Sequence, residues 1–100
     1  MNAVRERSIE RLRKKVLDAL GDHDAAVWLF GSCARGDVQH PDDIDIAILP
    51  RGAFPASFFT DLAYQFEEST VPYDVDLIDL RDADPALLNE VLWTGIRWRD

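Results

Sequence analysis

The sequence predicts a single α/β domain over residues 1–100, a small mixed β-sheet with helices packed mainly on one face. Two observations carry this. Apolar residues at helical spacing alternate along the chain with short runs rich in β-branched and aromatic residues. The 100 residues, 47% hydrophobic with ten aromatics, suffice for one packed core and are too few for a second.

The elements follow in order. Ile9, Leu12, Val16, Leu17 and Leu20 recur at helical spacing, predicting an amphipathic helix over 4–20 that Gly21 closes. Ala25 to Phe30 is an unbroken apolar run between turn signals, read as a buried strand. Ile44 to Leu49 is a second strand, ended by Pro50. Pro55 opens a helix with apolar positions Phe58, Phe59, Leu62, Ala63 and Phe66, and Pro72 stops its continuation. Tyr73 to Leu80 is a third strand. Asp84-Pro85 reads as an N-cap followed by proline at the first helical position, for a helix running to Gly95. Ile96-Arg97-Trp98 adds a short edge strand. Trp28 is expected in the core, whereas Trp93 and Trp98 fit core or interface equally.

Charge narrows the function classes. The net charge is −8, with +4 over residues 1–15 and −12 over residues 16–100. An acidic body argues against gripping a long nucleic-acid backbone, which requires clustered Lys and Arg. The basic face of the first helix, with Arg5, Arg11, Lys14 and Lys15, is either a solvated surface or a docking face. No apolar run approaches the roughly 20 residues that span a bilayer, and no apolar core of a signal peptide follows Met1. The single Cys33 leaves no intramolecular disulfide. These features predict a cytoplasmic protein without a membrane partner.

Four Asp-x-Asp pairs occur: Asp22/Asp24, Asp43/Asp45, Asp74/Asp76 and Asp82/Asp84. The first and last lie in turns beside helix ends, where Asp caps helices or bonds its own backbone. Asp43/Asp45 opens a strand, so both carboxylates share a face while Ile44, Ile46 and Ile48 point into the core. Such neighbours repel, and a divalent cation relieves the repulsion. Asp74 and Asp76 share a face of the third strand, with Asp79 opposite. If the two acidic faces align, a third carboxylate joins the first two, and three carboxylates suit two Mg²⁺ ions in an in-line phosphoryl displacement. Gly31-Ser32 follows the first strand, where a backbone can approach phosphate oxygens closely. Taken alone, that pair is an ordinary turn.

Leu29-Phe30-Gly31-Ser32-Cys33-Ala34-Arg35-Gly36, with Asp43-Ile44-Asp45-Ile46-Ala47 downstream, resembles the signature of the polymerase-β-like nucleotidyltransferases, closest to their minimal single-domain (MNT) branch. Val75 to Leu80 resembles that branch's third-carboxylate strand, and Leu92 to Ile96 its closing helix-to-strand segment. The resemblance implies that fold, with Asp43, Asp45 and Asp76 as catalytic metal ligands for two Mg²⁺. It implies that Gly31 and Ser32 contact the phosphates of ATP or another NTP, and that Arg35 either neutralises phosphate charge or pins the loop. It further implies an antitoxin that transfers AMP to a HEPN ribonuclease toxin.

Two positions depart from the pattern. Cys33 stands where the family usually has Arg, and Asp42 where it usually has Ser. The first removes a positive charge near the phosphates and the second adds a negative one. A competing expectation is therefore a weak or inactive binding module that neutralises its partner by occlusion. A third, the catalytic half of a small-molecule nucleotidyltransferase, suffers from the lack of an acceptor-binding domain. His40 reads as a solvated loop residue.

Overall fold

The computed structural model describes residues 3–30 and 43–99. Its elements are α1 (Ala3–Leu20), β1 (Ala25–Phe30), β2 (Asp43–Pro50), α2 (Phe58–Glu67), β3 (Asp74–Asp79), a 3₁₀ turn (Leu80–Asp82), α3 (Pro85–Thr94) and β4 (Ile96–Arg99). Gly21, at φ 51°, ends α1, a conformation that costs a residue without Cβ little.

The four strands form one sheet in the order β3-β2-β1-β4. β1 lies antiparallel to both β2 and β4, while β2 and β3 run parallel. A parallel neighbour requires a crossover, and the segment carrying α2 provides it. β1 is buried along its whole length, as an apolar run between two covered faces demands.

Strand alternation sorts the core into two layers. Ala25, Val27, Leu29, Ile44, Ile46 and Ile48 pack against Leu12, Val16 and Leu20 of α1 and Phe58, Leu62 and Phe66 of α2. On the other face, Ala26, Trp28, Phe30 and Ala47 meet Leu80 and Val91, with Leu87 and Leu88 of α3 packed alongside. Two helices thus share the isoleucine face, and α3 covers part of the opposite one. Among the described residues no helix is long and apolar enough to cross a membrane.

The ends of the strands are tied by polar contacts. Arg51 donates its backbone N–H to the Asp24 carbonyl at 2.8 Å, and its guanidinium Nη2 meets Asp24 Oδ1 at 2.8 Å. Arg99 Nη2 donates to the Gly21 carbonyl at 3.0 Å, fastening β4 to the end of α1. Asp84 caps α3 by accepting from the Leu87 N–H at 2.8 Å. Trp28 is 3% exposed, Trp98 packs partly buried against the isoleucine-face core, and Trp93 is 85% exposed.

Candidate active site

The parallel ladder between β2 and β3 builds the site. Its register sets Asp43 beside Asp74, Asp45 beside Asp76, and Ala47 beside Ile78. Side chains at paired positions share a face, so four carboxylates form a two-by-two block on the face opposite Ile44, Ile46 and Ile48. Asp43 and Asp45 are half-buried on the inner strand, whereas Asp74 and Asp76 are exposed on the edge strand.

The ladder continues across the sheet. Phe30 pairs with Asp45 and Trp28 with Ala47, so an aromatic wall flanks the carboxylates on the β1 side. Arg97 of β4 pairs with Trp28, and its guanidinium carbon lies 5.1 Å from the Trp28 ring centroid. α3 packs over Ala26, Trp28 and Ala47. Gly95 is what lets the end of α3 come so close: a Cβ there would lie 2.5 Å from the Val91 carbonyl oxygen and 3.2 Å from Trp28 Cβ and Cδ1.

An all-carboxylate donor set suits a hard, oxygen-seeking divalent cation such as Mg²⁺. Like charges at adjacent ladder positions also repel, which gives a cation an electrostatic task there. Among the described residues no three His, Cys, Asp or Glu side chains yet converge on one point. The arrangement is a row of donors on two neighbouring strands rather than a closed ligand shell.

Of the residues singled out from the sequence, Asp43, Asp45 and Asp76 are brought together. Gly31, Ser32 and Arg35, with Cys33, His40 and Asp42, lie outside the described residues. Asp74 joins the block as a fourth carboxylate; its Asp-x-Asp spacing to Asp76 was the available signal. Arg97 carries no sequence signal, because its face depends on the register of a four-residue strand. Two carboxyls outside the block are tied to arginines. A hydrogen bond from Arg81, whose Nη2 is 2.7 Å from Asp79 Oδ2, holds the Asp79 carboxyl below its usual range. A hydrogen bond from Arg51 does the same for Asp24. A hollow of about 450 Å³ lined by Phe59, Thr60, Ala63, Tyr64, Glu67 and Leu77 lies between α2 and β3 on the isoleucine face, away from the carboxylate block.

A mixed sheet with paired acidic strand starts on one face fits a nucleotidyltransferase-type architecture. Residues 14–97 match the family model described as polymerase beta, nucleotidyltransferase, and the chain belongs to that family. It is 36% identical over 69 residues to the protein adenylyltransferase MntA of Shewanella oneidensis, covering 69% of this chain and 49% of that one. The chain therefore spans about half the length of the curated relatives it matches.

Solved structures agree. A chain of a toxin–antitoxin complex with AMP-PNP superposes with a TM-score of 0.65 at 30% identity, covering 86% of this chain and 71% of its own. A complex of a tri-AMPylated Shewanella oneidensis HEPN toxin with an MNT antitoxin gives 0.66 at 27% identity, with 93% and 70% covered. A structure described as a minimal nucleotidyltransferase gives 0.70 at 26% identity, with 90% and 92% covered.

Proposed function

We propose that residues 1–100 act as one Mg²⁺-dependent nucleotidyltransferase unit that moves AMP from ATP to a hydroxyl of a HEPN-type toxin, and so serves as an antitoxin in the cytoplasm. The observation that carries this reading is the β2–β3 register, which sets Asp43 and Asp45 beside Asp74 and Asp76. The relatives named as an adenylyltransferase and the complexes with AMP-PNP and with an AMPylated toxin support the nucleotide and the acceptor.

In this reading Asp43, Asp45 and Asp76 hold two Mg²⁺ ions. When bound, the ions would polarise the α-phosphate and stabilise the leaving pyrophosphate. The acceptor hydroxyl oxygen attacks the α-phosphorus, the bond from that phosphorus to the bridging oxygen breaks, and pyrophosphate leaves. Asp76 Oδ takes the hydroxyl proton as general base. Gly31 and Ser32 contact the phosphates, and Arg35 neutralises their charge or pins the loop.

A second reading, neutralisation by occlusion without catalysis, is favoured by Cys33 and Asp42, which make the phosphate loop less positive than the family pattern. The deciding experiment is calorimetric titration of the purified chain with Mg-ATP, beside Asp45→Asn and an EDTA control. Metal-dependent binding that Asp45→Asn abolishes supports the enzyme, and a mass increase of one or more AMP units on the toxin then identifies the acceptor. Absence of binding, both alone and with the toxin present, leaves occlusion as the reading.

A further inference from the structure

We propose that Arg97 binds the β- and γ-phosphates of the nucleotide and stabilises the departing pyrophosphate. This rests on the nucleotidyltransferase reading above and names a residue which that reading does not use.

The sheet runs β3-β2-β1-β4. On the carboxylate face, Asp76, Asp45 and Phe30 form one row across the sheet. The next row is Ile78, Ala47, Trp28 and Arg97. Arg99, the other cation of β4, pairs with Val27 across a bulge and donates to the Gly21 carbonyl. Arg97 is thus the one cation that the described strand residues place on the carboxylate face.

An in-line displacement sends the leaving group away from the nucleophile. If Asp76 on β3 deprotonates the acceptor, the pyrophosphate departs across β2 toward β1 and β4. Strand spacing puts β4 about 10 Å from β2, a gap that a triphosphate and an arginine side chain bridge together.

Arg97 is also preorganised. The Arg97 guanidinium stacks 5.1 Å above the ring of the buried Trp28, which limits its freedom before any ligand arrives. Gly95 permits the close approach of the α3–β4 junction to Trp28 that sets this geometry. A planar guanidinium with paired N–H donors matches phosphate oxygens better than an ammonium does.

The test is calorimetric binding of Mg-ATP and, separately, Mg-pyrophosphate to the full chain and to Arg97→Gln and Arg97→Lys, with unfolding midpoints measured for each. The expected result is an about tenfold loss of affinity for both ligands in Arg97→Gln and partial recovery in Arg97→Lys, with losses that do not track the unfolding midpoints. Loss for ATP alone would mean that Arg97 reads the nucleoside, and overturns the proposal. So would full affinity for both ligands in Arg97→Gln, or a weakening that tracks a lowered midpoint in both variants. If the wild-type chain binds neither ligand, alone or with the toxin present, the nucleotidyltransferase reading falls and this proposal with it; if it binds both and only the Arg97 prediction fails, that reading stands.

Discussion

Asp45 on β2 and Asp76 on β3 stand side by side in a parallel ladder, two carboxylates from segments 31 residues apart in sequence. Their proximity is unfavourable for the ligand-free domain, since like charges directly opposite on a sheet destabilise it. Asp76 has no hydrogen-bond or ion-pair partner among the described residues. Asp76→Asn is therefore expected to raise the urea midpoint of the metal-free chain, by up to about 1 kcal/mol, while weakening metal-dependent ATP binding. A clear loss of metal-free stability in Asp76→Asn would count against the carboxylate block.

Gly95 tests the α3–β4 junction. A Cβ would meet the Val91 carbonyl oxygen at 2.5 Å and Trp28 at 3.2 Å, and two of those three atoms belong to the buried Trp28 side chain. Gly95→Ala should destabilise the domain by about 1–3 kcal/mol, the usual range for overpacking. Chemical denaturation followed by circular dichroism measures it. The φ at Gly95 is −74°, so backbone strain plays no part.

The Asp79–Arg81 pair gives the acid limb of stability a specific contributor. Asp79 Oδ1 accepts from the Arg81 backbone N–H at 3.0 Å, and Oδ2 meets Arg81 Nη2 at 2.7 Å. The folded carboxyl is held below its ordinary value, mainly by that side-chain hydrogen bond. Its contribution is present above the unfolded value of about 3.9 and is lost as pH falls through the folded value. Asp79→Ala should cost about 1 kcal/mol at neutral pH, the usual size of a lost cap. The gap to wild type should narrow as pH drops below about 3.9. A gap independent of pH would mean that the charge of Asp79 contributes nothing.

The three tryptophans sit at different depths, and fluorescence should separate them. Trp93 is 85% exposed and Trp28 only 3%. Acrylamide should quench Trp93 readily and Trp28 poorly. Trp93→Phe should remove most of the quenchable emission while changing stability by no more than about 0.5 kcal/mol, as surface substitutions do. If emission stays equally quenchable in Trp93→Phe, the exposure assigned to Trp93 is wrong.

Much of this architecture was legible because local patterns were strong. The apolar run 25–30 emerged as β1 with the same ends, since a strand buried on both faces needs no alternation to be recognised. Ile44, Ile46 and Ile48 pointed inward as their spacing required. The third strand is shorter than its pattern suggested: Tyr73 lies outside it, and Leu80 begins a 3₁₀ turn because the Asp79 side chain captures the Arg81 N–H. The shared face of Asp74 and Asp76 could be read from alternation. Their register against Asp43 and Asp45 could not, because a parallel ladder is set by the crossover and its packing rather than by a local turn. For the same reason the placement of Arg97 over Trp28, and of α3 on the carboxylate face, came only with the assembled sheet. Gly31, Ser32 and Arg35 rest on the sequence pattern alone.

The outermost position of β3 has a thermodynamic consequence. A marginal strand with one bonded neighbour can detach at a fraction of the cost of global unfolding. Each such opening carries Asp74 and Asp76 away from Asp43 and Asp45 while the two-layer core beneath β1 stays closed. Anything that bridges the two strands binds only the docked form, so mass action must hold the margin shut. Amide protection along β3 should then rise with bridging-ligand concentration before that of β1 changes at all, making the edge of the sheet a local gauge of occupancy.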